Sequence, residues 1–161
     1  MPTPTLWSIL ASSPTTILES LAAARTLLFR VGDSTYGCDI DAVREIIPYR
    51  RATRLPGAPA YVQGLVNLRG TIVTVLDLGQ RLDATRGPVR EGSIILAEHG
   101  ARNVGVAVDE VMDVQAVDEE PVETGAAGDD SRSGLVRGLG HVGDDVVALI
   151  DIHTLVTQAL L

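Results

Sequence analysis

Residues 64–78 read GLVNLRGTIVTVLDL and residues 138–152 read GLGHVGDDVVALIDI. At an offset of 74, Gly64 aligns with Gly138, Val73 with Val147, Asp77 with Asp151 and Leu78 with Ile152. A second pair of stretches, YGCDIDAVREI (36–46) and NVGVAVDEVMDV (103–114), aligns at an offset of 68. It matches Gly37 with Gly105, Ile40 with Val108, Asp41 with Asp109, Val43 with Val111, Glu45 with Asp113 and Ile46 with Val114. The change of offset places an insertion of about six residues in the second copy, within 117–132 (VDEEPVETGAAGDDSR). Each copy is too short to bury a core alone, so a duplication of this size predicts two small β units that share or abut a core.

The grammar around these stretches is that of short strands. Leu27 to Val31, a turn at Gly32-Asp33-Ser34, and Tyr36 to Ile40 form a hairpin pattern, and Ile46-Ile47 end a further strand at Pro48. Residues 50–60 (RRATRLPGAPA) have loop composition. Leu65 to Leu68 and Ile72 to Leu76 flank Arg69-Gly70-Thr71, and Asp77 with Leu78 and Leu82 predicts a capped helical turn. Ser93 to Ala97 and Val104 to Val108 repeat the hairpin pattern. Upstream, Ser13-Pro14 is a helix-start signal, so residues 1–25 are predicted to form an arm and a helix, with Trp7 stapled to the domain surface. The globular part is then 26–158, with a first barrel at about 26–83 and a second at about 92–158.

Charge limits the function. The 161 residues include 21 Asp+Glu and 13 cationic residues, all of them Arg, for a net charge of −8. A nucleic-acid binder needs surplus cations to displace counterions, and an anionic membrane surface attracts basic segments, so both are disfavoured. Nine of the acids lie between Asp109 and Asp130 with no cation among them. The acidity is therefore local, and solvated loop positions are expected for Glu119, Glu120, Asp129 and Asp130. The single thiol, Cys38, precludes an intrachain disulfide and a Cys-based zinc site, and its apolar strand context predicts a buried, inert group. The N-terminus lacks the features of a secretory signal, and no apolar run reaches membrane-spanning length. A cytoplasmic location is expected.

Catalytic constellations are absent from the pattern. His99, His141 and His153 have no metal-ligand spacing, so neither a metal nor a cofactor is expected. Asp77 and Asp151 could be read as the carboxylate pair of a small hydrolase, but their shared context suits two helix N-caps better. What remains are interaction features: an Arg44, Arg50, Arg51, Arg54 and Arg69 cluster in the first copy against the acidic stretch in the second. Arg69 stands beside Gly70 at a hairpin tip, where its planar fork can project toward a partner carboxylate.

At Gly64, Asn67, Leu68, Arg69, Gly70, Asp77 and Leu78 the chain resembles the CheW family of chemotaxis coupling proteins. FRVGDSTYGCDIDAVREI, VAVDEVMDV and GLGHVGDDVVALIDIHTLV are similar to the rest of that family's pattern, so the likeness covers about residues 26–158. The resemblance implies a mainly β fold of two SH3-like five-stranded barrels related by a pseudo-twofold, with short terminal helices. It implies a non-catalytic adaptor joining the regulatory domain of a CheA-type histidine kinase to the cytoplasmic tips of chemoreceptors, recruited to arrays at the inner membrane. Ile40, Val43 and Glu45 become candidate partner contacts, and Asn67, Arg69 and Gly70 form the polar tip that orients interface hydrogen bonds. Val111 and Val114 are their second-copy counterparts. With no receiver domain after Leu161, the two-domain coupling variant is not expected. An adaptor of a chemosensory pathway with a non-motility output (pilus or gene-expression control) is the alternative.

Overall fold

The computed structural model describes residues 26–83, 85–100, 102–121 and 135–159. The expected N-terminal helix, Trp7, Asp129 and Asp130 lie outside them. The first copy supplies β1 (Thr26–Val31), β2 (Ser34–Asp39), β3 (Glu45–Pro48), β4 (Val62–Leu68), β5 (Thr71–Asp77) and the helical turn α1 (Leu78–Leu82). The second supplies β6 (Ser93–His99), β7 (Arg102–Val108), β8 (Glu110–Gln115), β9 (Asp118–Pro121), β10 (Val136–Val142), β11 (Asp145–Ile150) and α2 (Ile152–Ala159). The fold is mainly β, as the alternation of apolar residues and turn signals predicts.

The sheets do not follow the two halves of the chain. One sheet runs β8-β1-β2-β11-β10-β9 and the other β3-β6-β7-β5-β4. The opening hairpin of each copy is thus built into the sheet of the other copy, and the contiguous barrels predicted at 26–83 and 92–158 are not the units that form. The pseudo-twofold survives this exchange residue by residue. The parallel pair Val75↔Gly105 in one sheet is matched by Leu149↔Gly37 in the other, and Glu45↔Leu96 is matched by Asp113↔Leu28.

The exchange follows from where the apolar side chains point. Strand side chains alternate between faces, so Leu27, Phe29 and Val31 of β1 and Ile95 and Ala97 of β6 turn toward one shared core. Val104, Val106 and Val108 of β7 join it, together with Leu135, Ile150, Ile152, Leu155 and Val156. The opposite faces, with Ile94, Leu96 and Ala107, meet Ile47, Val66, Val73 and Val75 inside the five-stranded sheet, which curls around them. The six-stranded sheet encloses a smaller interior of Leu28, Val147 and Leu149. Repeat-related Gly37 and Gly105 keep both interiors tight. A methyl group on either would approach Thr26 Cγ2 at 2.7 Å or Ile94 Cγ2 at 2.6 Å.

The leading glycine of the decisive motif also has a physical reason. The β4–β5 ladder shifts register between Val62 and Gly64, and the β10–β11 ladder shifts at the equivalent Val136–Gly138. Gly64 has a φ of +139°, and an added Cβ would sit 2.0 Å from the Thr53 carbonyl oxygen. Only a residue without a side chain permits the Thr53–Leu65 bridge to cross there.

The acidic insertion departs from expectation. Residues 118–121 are not a loop: they form β9, which pairs along β10 through Leu139↔Glu120. Thr53 bridges Leu65 at the equivalent place in the first copy.

Candidate functional site

The sequence-derived residues separate into two groups. Glu45, Asn67, Arg69 and Gly70 come together at the tip of the β4–β5 hairpin. Leu68 pairs with Thr71, leaving Arg69-Gly70 as a two-residue turn with φ values of +51° and +85°. Positive φ at both central residues is the hairpin geometry that matches strand twist, and Asn or Gly normally occupies the first position. Arg69 is the one non-glycine with positive φ among the described residues. At the equivalent turn of the second copy the residue is Gly143, with a φ of +59°. The backbone there favours glycine, so an arginine at this place is retained for its side chain.

That side chain closes a two-pronged clasp. Arg69 Nη1 donates to Glu45 Oε1 at 3.2 Å and Nη2 donates to Oε2 at 2.5 Å. β3 and β4 lie at opposite ends of the five-stranded order, so the clasp joins the edges of the curled sheet. The guanidinium is 68% exposed. The Arg69 hydrogen bond holds the Glu45 carboxyl below its ordinary value, and Glu45 in turn raises the guanidinium's. Asn67 fixes the turn from within, its Oδ1 accepting the Gly70 N–H at 3.0 Å. The fork read from the sequence as reaching toward a partner is therefore satisfied within the chain, with its outer surface open.

Ile40 and Val43 lie two to five residues before Glu45, at either end of a 3-10 turn (Ile40–Ala42) that carries the chain from one sheet to the other. Both are half-buried against the shared core. Val43 also lines a groove of about 280 Å³ between this turn and α2. Val111 and Val114 are not part of the tip. Val111 is half-buried on β8, while Val114 is 3% exposed and belongs to the shared core, so it offers a partner no surface in this state. The counterpart of Glu45, Asp113, is buried and accepts from Gln115 Nε2 at 3.0 Å and from the Val114 N–H. With Gly143 and buried Asp113 at the equivalent positions, the clasp is not repeated among the described residues of the second copy.

Two exposed apolar residues were missed by the sequence reading. Ile72 is 57% exposed and pairs across the hairpin with Asn67, beside the clasp. Val146, 74 residues on, is 56% exposed on β11. The alternation with buried Val73 and Val147 was the available signal. Arg44 pairs with Glu98 rather than projecting freely.

The carboxylates weighed for acid–base chemistry are caps. Asp77 Oδ1 accepts the Gln80 N–H at 3.1 Å at the start of α1, and Asp151 Oδ1 accepts the Thr154 N–H at 3.1 Å at the start of α2. Asp77 Oδ2 is also taken, by the Val89 N–H at 2.7 Å and Gln63 Nε2 at 3.0 Å. Cys38 is fully buried, and burial first, then Asp39, pushes its thiol up to about 12. No cluster of His, Cys, Asp and Glu that could hold a metal occurs among the described residues. No helix among them is long and apolar enough to cross a membrane.

The structure is thus a pseudo-symmetric pair of curled sheets with a polar clasp at one hairpin tip and the repeat-related Asp77 and Asp151 spent on caps. Comparison with known proteins gives the family. The CheW-like domain model matches residues 25–160. The chain is 34% identical over 130 residues to the chemotaxis protein CheW of Rhizobium meliloti, covering 80% of this chain and 84% of that protein. It is 32% identical over 134 residues to a probable chemotaxis protein CheW of Rhizobium etli, covering 82% and 86%. The crystal structure of the scaffolding protein TtCheW from Thermoanaerobacter tengcongensis superposes with a TM-score of 0.70 at 30% identity, over 83% of this chain and 92% of that one. The chain belongs to the CheW family.

Proposed function

We propose that this chain is a non-catalytic scaffold that couples chemoreceptor tips to the regulatory domain of a CheA-type histidine kinase in the cytoplasm, within receptor arrays. The observation that carries the reading is Arg69. It occupies a glycine-type backbone conformation and holds an exposed two-pronged pair with Glu45, at a tip flanked by the apolar surface of Ile72. A clasp open on its outer side offers a partner a rigid arrangement of donors and acceptors next to apolar area, the composition of a reversible interface. Ile40 and Val43 extend this face along the 3-10 turn toward α2, and Val111 supplies a smaller apolar contribution from β8. Family membership supports the assignment of partners.

The test is a reconstituted array of receptor fragments, kinase and this protein. Arg69→Glu, which opposes two acids at the tip, is expected to abolish kinase activation and weaken co-sedimentation while leaving the circular dichroism spectrum unchanged. Activation and binding equal to wild type would overturn the reading. Deleting the gene and scoring swimming against surface behaviour separates a motility output from another chemosensory one.

A further inference from the structure

Arg30, Arg44, Arg69 and Arg86 each pair with a Glu or Asp. Arg51, Arg54 and Arg90 pair with none among the described residues. All three line one groove of about 620 Å³ on the first barrel, away from the clasp, together with Tyr49, Gln63 and Gln80.

The cationic wall is fixed from both sides. Arg51 and Arg54 flank Thr53, whose N–H and carbonyl each exchange a 2.8 Å hydrogen bond with Leu65. Arg90 follows Val89, whose N–H is held by the buried Asp77 carboxylate. Three exposed arginines on anchored backbone, none paired with a carboxylate among the described residues, give the groove a cationic lining.

Gln63 ties the two sides of the groove together. Its Nε2 donates to Asp77 Oδ2 at 3.0 Å and to the Val89 carbonyl at 2.8 Å, so the amide orientation is set by two acceptors. Its Oε1 is left as the buried side-chain polar atom without a partner among the described residues. Guanidiniums pair with carboxylates in a two-pronged geometry, and an acidic peptide presents several carboxylates along one extended backbone.

We propose that this groove binds a short, extended, acidic segment of a partner protein, its Glu or Asp side chains on Arg51, Arg54 and Arg90. The chain itself uses the same chemistry where Arg69 grips Glu45. The groove is separate from the tip invoked for coupling, so either assignment can fail without the other.

The experiment is fluorescence anisotropy of a labelled octapeptide of alternating Glu and Ala against the full chain, with the Gln-for-Glu octapeptide and inorganic phosphate as further probes. Wild type is expected to bind the acidic octapeptide at least tenfold more tightly than the Gln version, and less tightly as salt rises. The R51E/R54E double variant and R90E, all at exposed positions, are expected to lose at least tenfold. R102E, an exposed arginine outside the groove, is expected to bind as wild type does. Undiminished binding by the groove variants, an equal loss in R102E, or phosphate binding without peptide binding would each overturn the proposal.

Discussion

Asp77 and Asp151 occupy equivalent positions in the two copies, yet their removal should differ severalfold in effect. Asp77 is fully buried and its carboxylate accepts three hydrogen bonds, from the Gln80 N–H, the Val89 N–H and Gln63 Nε2. In Asp77→Ala the lost cap costs about 0.5–2 kcal/mol. The Val89 N–H, in a bond buried at both ends, is orphaned at a further cost of about 1–3 kcal/mol. The sum, about 1.5–5 kcal/mol, is a large fraction of the ~5–15 kcal/mol that holds a domain folded. Asp151 is half-buried and caps with one bond to Thr154, so Asp151→Ala should cost about 0.5–2 kcal/mol. Urea unfolding followed by circular dichroism resolves the two. At an m-value of about 2 kcal/mol/M, Asp77→Ala lowers the midpoint by about 0.8–2.5 M, and Asp151→Ala by less than half as much. Asparagine sharpens the comparison. Asp151→Asn keeps the cap oxygen and should be near wild type. Asp77→Asn turns an amide donor toward two existing donors, so it should rescue little. Equal losses for the two alanine variants, or wild-type stability for Asp77→Asn, would refute the reasoning.

Other outcomes follow from the same geometry. Arg69→Gly should leave the melting temperature unchanged or raised, because Gly143 already serves at the equivalent turn, while array activation falls as it does for Arg69→Glu. The Glu45 carboxyl, followed by NMR, should titrate below 4.5 and move back up toward it in Arg69→Ala. Since its folded value is the lowered one, the clasp's contribution is full above 4.5 and lost as pH falls through that lowered value. Gly64→Ala should prevent a stable fold, since the new methyl meets the Thr53 carbonyl oxygen at 2.0 Å, whereas Gly70→Ala, with open space around it, should cost only the ~1–2 kcal/mol of a left-handed conformation. Cys38, its thiol raised to about 12, should resist iodoacetamide at pH 8 in the folded protein and react in urea; rapid stoichiometric labelling of the native chain would contradict this.

The repeat made much of this legible, and its limits are physical. Gly64, Asp77 and the Arg69-Gly70 turn are local features, set by backbone conformation and capping, and they could be read directly from residue type and spacing. Which sheet each hairpin joins is not local. β1 has the same alternating pattern whether it pairs only within its own half or also across to β8, and only the shared core decides. The same gap explains Val114. Its likeness to Ile46 gave its strand position correctly, but β8 lies against the shared core and turns that residue inward. The acidic residues at 118–120 looked like solvated loop because edge-strand pairing leaves no signal in a segment so short and charged.

The exchanged hairpins carry a consequence for the history and the assembly of the molecule. Two separate copies of one half, each lending its opening hairpin to the other, would be a domain-swapped dimer. This chain is that dimer with its protomers joined end to end. Neither half can be excised as a functional unit, because each would take away two strands the other needs. The stretch from Asp83 to Gly92, lying between the copies, acts as a tether that replaces association between molecules by closure within one. A backbone cut there should yield two fragments that regain structure only together, with a stability that rises with their concentration.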